Sequence, residues 1–236
     1  MSILYCIRHG QASFGKNDYD LLSDKGRQQS RVVAEYFFSL GTVFDTVFTG
    51  TLRRQIETAR ELTELYRRKG MPQPEVKTAP SFNEYDSEGI FKKLLPLLMQ
   101  EDEELGGQIA QTAGDKRAFQ FVFERIMQHW ISGTYSVAGL ETWEEFKGRV
   151  NEAIDGIMAD EERGKCVAVF TSGGPICLAA QKALHLSDAD ALRLNWQVAN
   201  ASITRFQYAP GRIMLSTFNE YGHLESNPGA GMVTYR

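Results

Sequence analysis

Cysteine is scarce in this chain, with only Cys6, Cys166 and Cys177 among 236 residues. An odd number of cysteines, two of them inside apolar runs, excludes a disulfide framework and reads as three core thiols. Positive charge is not in excess either: 26 Lys and Arg face 30 Asp and Glu, a formal net charge of -4. The chain as a whole therefore offers no attraction to nucleic acid or to an anionic membrane, and any anion site must be local. Long apolar runs are missing too, none approaching the ~20 residues of a membrane span. Met1 leads straight into Ile3-Leu4-Tyr5-Cys6-Ile7 without a basic segment or a long apolar one, so the expected location is the cytoplasm. Histidine, cysteine and aspartate do not cluster at metal-ligand spacing, so neither a metal nor another cofactor is expected.

What is present suits a single α/β domain with an insertion, since 42% of the residues are hydrophobic and 236 residues can bury a sizeable core. Ile3 to Ile7 is a continuous apolar run of the kind found in a parallel strand buried on both faces, and Arg8 and His9 fall at its carboxyl end. Ser23 then caps a helix whose apolar face is Val32, Val33, Tyr36, Phe37 and Leu40, stopped by Gly41. Val43 to Phe48 reads as a second strand and Leu52 to Lys69 as a second helix, with Leu52, Ile56, Ala59, Leu62 and Leu65 along one face.

From about residue 80 to 164 the alternation stops. Acidic Glu101 to Glu104, a Gly-Gly pair and helical runs holding Phe119, Val122, Phe123, Ile126, Met127 and Trp130 predict a helical cap insertion within the single domain 1–236. Its last helix carries a capping-box pattern at Thr142 and Glu145. Cys166 to Phe170 returns as a strand, Thr171-Ser172-Gly173-Gly174 as a tight turn and Pro175 to Leu184 as a helix. Ser202 to Tyr208 and Ile213 to Phe218 are strand-like and separated by Ala209-Pro210-Gly211, a turn signal. The expected architecture is a three-layer α/β/α sandwich around a mostly parallel sheet.

In open α/β sheets ligands bind outside the carboxyl ends of the strands, where helix N-termini present unpaired N–H groups. Arg8, His9 and Ser172 occupy such ends. A neutral imidazole can attack phosphorus and carry the phosphoryl group, and planar guanidinium groups match phosphoryl oxygens with paired hydrogen bonds.

Arg8-His9-Gly10 at the end of the first strand, read beside Arg54 four residues before Thr58-Ala59, resembles the histidine phosphatase superfamily, also called phosphoglycerate mutase-like. Asn83-Glu84-Tyr85, Leu140-Glu141-Thr142 and Asn219 to Leu224 are similar to later segments of that family. The resemblance implies a phosphomonoester hydrolase acting on a small phosphorylated metabolite, with His9 as nucleophile and Arg8, Arg54, Ser172 and Gly173 as phosphate ligands. It implies Glu84 as general acid and base, with Asp86 and Glu88 close enough in sequence to replace it. Gln11, Ser13 and Asn17 are candidates to line the substrate entrance through neutral donors.

Two positions depart from the pattern, Gln11, which stands where many relatives carry Glu after Arg-His-Gly, and Ser172. The family carries Ser-His-Gly-Gly after its late strand, whereas this chain reads Thr171-Ser172-Gly173-Gly174. A serine hydroxyl donates one hydrogen bond and carries no charge, so a weakened enzyme or a phosphate-binding regulatory protein stays open beside the hydrolase, as does mutase-type transfer. A separate reading takes Phe170 to Gly174 as a partial nucleophile elbow, with Asp188 or Asp190 and then His223 completing a triad.

Overall fold

The computed structural model describes residues 1–13, 20–101, 116–135, 137–159, 164–227 and 231–235; the side chains of residues 101 and 116–119 lie outside that description. Two compact units emerge, Met1–Glu84 with Val150–Arg236, and Tyr85–Arg149.

The larger unit is built on a six-stranded sheet in the order β3-β2-β4-β1-β5-β6. Its strands are β1 (Ser2–Arg8), β2 (Thr46–Thr49), β3 (Glu75–Thr78), β4 (Cys166–Thr171), β5 (Ile203–Ala209) and β6 (Arg212–Glu220). The first four run parallel to one another, while β5 pairs antiparallel with both β1 and β6, so the sheet is mixed with a parallel core. The β5–β6 hairpin turns at the expected Pro210-Gly211, with Gly211 in the left-handed region at φ 69°. β1 lies inside the sheet, with Leu4, Cys6 and Ile7 buried and Ile3 and Tyr5 partly so. Tyr5 meets Phe37 and Phe44 edge-on at 5.3 and 5.6 Å.

Helix α1 (Asp24–Ser39) begins where the sequence places it, its Ser23 cap accepting from the Gly26 N–H at 3.0 Å. Val33, Ala34 and Phe37 are buried. Leu40 is 58% exposed, because the helix ends at Ser39 and Leu40 is its C-cap. Helix α2 (Arg53–Lys69) buries Arg54, Gln55, Thr58, Ala59, Leu62, Leu65 and Tyr66, while Ile56 stays 40% exposed. Ala59, Leu62 and Leu65 are buried as the apolar pattern predicts, but Ile56 is not, because the first two turns bury the polar Arg54, Gln55 and Thr58 instead.

The edge strand β3 has no apolar alternation to announce it, and all four of its residues are exposed. Backbone pairing with β2 makes it a strand. The 3-10 turn Pro80–Phe82 follows. Two of the three cysteines are buried and Cys166 partly so, and all three are free thiols. Burial pushes Cys6 and Cys166 up to about 12 and raises Cys177 as well, which fits inert core thiols.

The smaller unit contains α3 (Ser87–Glu101), α4 (Lys116–Ser132) and the first turns of α5 (Trp143–Met158). Tyr85, Trp130, Trp143 and Phe146 form an aromatic core with Tyr85–Trp130 centroids 5.0 Å apart. The capping box at the start of α5 is formed: Glu145 N–H donates to Thr142 Oγ1 at 3.2 Å and Thr142 N–H to Glu145 Oε2 at 2.8 Å. The acidic run beyond Glu101 and the Gly-Gly pair fall outside the described residues. Among the described residues no helix is long and apolar enough to cross a membrane.

The chain then passes through β4 into α6 (Gly173–Leu184), which packs on β1 and β6, and into α7 (Asp188–Asn195) and a short α8 (Gly222–Glu225).

Candidate active site

The carboxyl end of β1 is held from three sides. His9 N–H donates to Thr171 O at 2.9 Å, continuing the β1–β4 ladder one step past the Arg8–Thr171 pair. Ala201 N–H points at both Arg8 O and His9 O, at 3.1 and 3.2 Å, and Asn200 Nδ2 donates to His9 O at 3.3 Å. Gly10 N–H donates to Thr58 Oγ1 at 3.1 Å. A Cβ on Gly10 would lie 2.3 Å from Gly26 O, so only glycine lets the strand end meet the start of α1.

His9 is 4% exposed, and its ring nitrogens have distinct partners. Nδ1 is 2.7 Å from Gly10 O. A carbonyl oxygen can only accept, so Nδ1 carries the proton and Nε2 the lone pair. Arg54 Nε–H donates to that lone pair at 3.2 Å. Burial, and then the charges of Arg54 and Arg8, hold the imidazole well below its ordinary 6.5, against a smaller opposing effect of the Gly10 bond. The result is a neutral imidazole with an in-plane lone pair, able to act as a nucleophile at Nε2.

The two arginines are held differently. Arg54 Nη1 meets Asp20 Oδ1 at 2.7 Å, and Asp20 Oδ2 accepts the Arg53 N–H at 2.8 Å, so this carboxylate joins α2's first turn to the guanidinium. Arg8 Nη1 donates to Val198 O and to Tyr235 O, the latter at 3.1 Å. The segment around Tyr235 is itself tied down, with Thr234 O accepting from Asn200 N–H at 2.8 Å and Met232 O from Gln29 Nε2 at 2.6 Å.

Ser172 follows β4 in extended backbone as the N-cap of α6 and is wholly buried. Its Oγ accepts from Gln55 Nε2 at 2.9 Å, and the same nitrogen donates to Phe82 O at 3.1 Å. Glu84 Oε2 accepts the Gly174 N–H at 3.1 Å, placing a carboxylate at the N-terminus of α6, where the helix dipole favours it. Asp86 instead accepts the Gly89 N–H at 2.8 Å in the first turn of α3, and Glu88 pairs with Lys92 in an exposed bridge. A Cβ on Gly173 would lie 2.0 Å from Asn195 Oδ1.

Arg54 is thus hydrogen-bonded to His9 and Arg8 acts on the imidazole through its charge, while Ser172 is reached through Gln55 beside Arg54 and Glu84 lies at the adjoining turn. Gln11 serves α1 instead: its Oε1 accepts from Ser23 Oγ at 2.9 Å, and its N–H donates to Gln29 Oε1 at 2.8 Å. Ser13 is 7% exposed, and its N–H donates to Leu21 O at 2.7 Å. Asn17 lies outside the described residues. The triad based on Ser172 does not form. Asp188 accepts from Gln181, and Asp190 holds Ser187. His223 Nε2 bonds Ala201 O at 2.9 Å with its ring stacked on Tyr36.

Against known families, residues 4–118 and 110–221 match the histidine phosphatase superfamily (branch 1). The chain belongs to that superfamily. Solved structures of similar fold include mycobacterial glucosyl-3-phosphoglycerate phosphatase, at 20% identity and TM-score 0.58, covering 93% of this chain and 99% of that one. Another is an Entamoeba histolytica phosphoserine phosphatase mutant in complex with phosphoserine, at 18% identity and TM-score 0.62, covering 95% and 100%. A third is phosphoglycerate mutase from Bacillus anthracis, at 20% identity and TM-score 0.63, covering 94% of each chain.

In this superfamily member the ending Asn219 to Leu224 is architectural. Asn219, at φ 53°, accepts Ala199 N–H at 2.8 Å and donates to Gln197 O at 2.6 Å. With His223 it braces the 197–201 segment that holds His9. Sequence reasoning missed Asp20 and Gln55. Asp20 carried no periodic or motif signal, and Gln55 was overlooked because a polar residue beside Arg54 reads as solvent-facing.

Proposed function

We propose that this superfamily member hydrolyses phosphomonoesters of small phosphorylated metabolites through a phosphoryl group carried on His9. The observation that carries the proposal is the fixed tautomer of a buried imidazole whose Nε2 lone pair faces Arg54. In the first step Nε2 bonds to phosphorus and the P–O ester bond breaks, the leaving oxygen taking a proton from the Glu84 carboxyl. Arg54 Nε–H, released from Nε2, turns to a phosphoryl oxygen with Arg8 beside it. Nδ1–H stays on Gly10 O and steadies the positive charge on the phosphorylated ring. In the second step the Glu84 carboxylate takes a proton from water, the hydroxide bonds to phosphorus and the P–N bond breaks. The names of the structural relatives, phosphatases of glucosyl-3-phosphoglycerate and phosphoserine and a phosphoglycerate mutase, support a small phosphomonoester as substrate class.

One observation favours a second reading. Ser172 is buried and engaged with Gln55 where the resemblance implies a histidine, which suits a phosphate-binding protein with little turnover. Turnover of an aryl phosphate and of a panel of sugar, amino-acid and nucleotide phosphates separates the two. Hydrolysis lost in His9→Ala supports the enzyme, whereas phosphate binding without His9-dependent turnover supports the binder. Return of the phosphoryl group to a second substrate hydroxyl instead of water would mark a mutase.

A further inference from the structure

The hydrogen bonds around Gln55 fix which way its amide points, and that in turn fixes the hydroxyl of Ser172. Phe82 O is a carbonyl oxygen and can only accept, so the Gln55 atom 3.1 Å from it is Nε2 and not Oε1. An inverted amide would set two acceptors against each other. One Nε2 hydrogen goes to Phe82 O, and the other to Ser172 Oγ at 2.9 Å. Ser172 is therefore the acceptor in its bond with Gln55, and its own hydrogen must point elsewhere. Among the described residues no acceptor takes that hydrogen. Gln55 Oε1 is buried without a partner, so the amide is held by its nitrogen alone.

Ser172 follows Thr171, the β4 partner of Arg8, so it stands beside His9 on the neighbouring strand, about 4.8 Å away by the spacing of strands in a sheet. Both Ser172 and Gln55 are wholly buried, where a neutral donor is worth more than in water. Gln55 also follows Arg54 directly, so one turn of α2 reaches His9 with one side chain and Ser172 with the next.

We propose that Gln55 is a positioning residue that turns the Ser172 hydroxyl hydrogen toward the phosphoryl group on His9, so that the Gln55–Ser172 pair supplies the donor a histidine supplies elsewhere in the family. The proposal rests on His9 carrying the phosphoryl group. An amide and a hydroxyl do not titrate where an imidazole does, so this donor is constant across the acid range.

The test is kinetics with an aryl phosphate and orthovanadate affinity, measured on the wild-type protein, Ser172→Ala, Ser172→Thr, Gln55→Leu, Gln55→Ala and the Ser172→Ala/Gln55→Leu double variant. Ser172→Ala is expected to lower kcat on the order of 10²-fold, as for loss of one preorganised donor. Ser172→Thr, which keeps the hydroxyl, is expected to retain most of the rate. Each Gln55 variant should fall in kcat alongside Ser172→Ala, and the double variant no further, because the pair acts as one unit. Vanadate affinity should weaken in the same order, which gives a second measure if one Gln55 variant folds poorly. A Ser172→Ala protein within twofold of wild type in both measurements overturns the proposal, as does a Gln55→Leu loss that persists in full on the Ser172→Ala background. Wild-type turnover in His9→Ala, or a wild-type protein that neither turns over nor binds vanadate, overturns the phosphohistidine chemistry and the pair's role with it. Intact His9-dependent turnover with indifferent Ser172 variants overturns the pair alone.

Discussion

Arg54 donates its Nε–H to Nε2 of His9 across 3.2 Å, so in the free protein the atom that would attack phosphorus is already hydrogen-bonded to the group that would receive the phosphoryl oxygens. The imidazole at that position is neutral because burial and two guanidinium charges hold it well below 6.5. Protonation of His9 is then not what limits activity at mildly acid pH. kcat/KM for an aryl phosphate, corrected for substrate ionisation, is expected to hold as pH falls through 6.5 instead of halving there. A pH-rate profile checks it.

The same shift has a consequence for stability. His9 and His223 both have folded values lowered mainly by burial, so below 6.5 the unfolded chain binds protons that the folded chain does not. Stability is full above 6.5 and declines as pH falls from 6.5 toward the lowered folded values. His9→Asn, which cannot titrate, should therefore show a shallower fall in Tm between pH 6.5 and 5 than the wild-type protein. Equal slopes would contradict the shift.

Asp20 holds Arg54 Nη1 with one oxygen and the Arg53 N–H with the other. Asp20→Ala leaves a 9%-exposed guanidinium without that carboxylate and should cost about 1–3 kcal/mol, the usual penalty for a mostly buried charge-assisted bond. Arg54 also loses its fixed direction, so kcat/KM is expected to fall about tenfold, the rate equivalent of about 1.4 kcal/mol. Denaturant melts and steady-state kinetics on the one variant measure both.

Gln55 occupies space next to Ser172, and neither side chain reaches solvent. Ser172→His alone should overpack the site and cost about 1–3 kcal/mol. Adding Gln55→Ala should recover part of that loss by making room for the ring. Thermal melts of the two proteins decide it, and a double variant less stable than Ser172→His would show that Gln55 does not fill the contested space.

Much of this was legible in the sequence because the signals were local. The apolar run to Ile7, the Ser23 cap, the Thr142–Glu145 box and the Pro210-Gly211 turn each state their structure within a few residues, and all formed. β3 did not, because an exposed edge strand is made by pairing with β2 and needs no apolar pattern. α7 carried a signal that went unused, Ser187 three residues before Asp190, whose N–H it caps at 3.1 Å. At the site, Arg8, His9 and Arg54 stood out as a motif. Asp20 and Gln55 act through partners 34 and 117 positions away along the chain, a relationship that sequence spacing does not encode.

The most direct measurement is a search for the covalent intermediate. The protein is mixed with 32P-labelled substrate, quenched in alkali and digested, since a phosphoramidate survives base and is lost in acid. Alkali-stable, acid-labile label on the peptide containing His9, absent from His9→Ala, is the expected result. Turnover with no such label, or label unchanged in His9→Ala, would contradict His9 as the phosphoryl carrier.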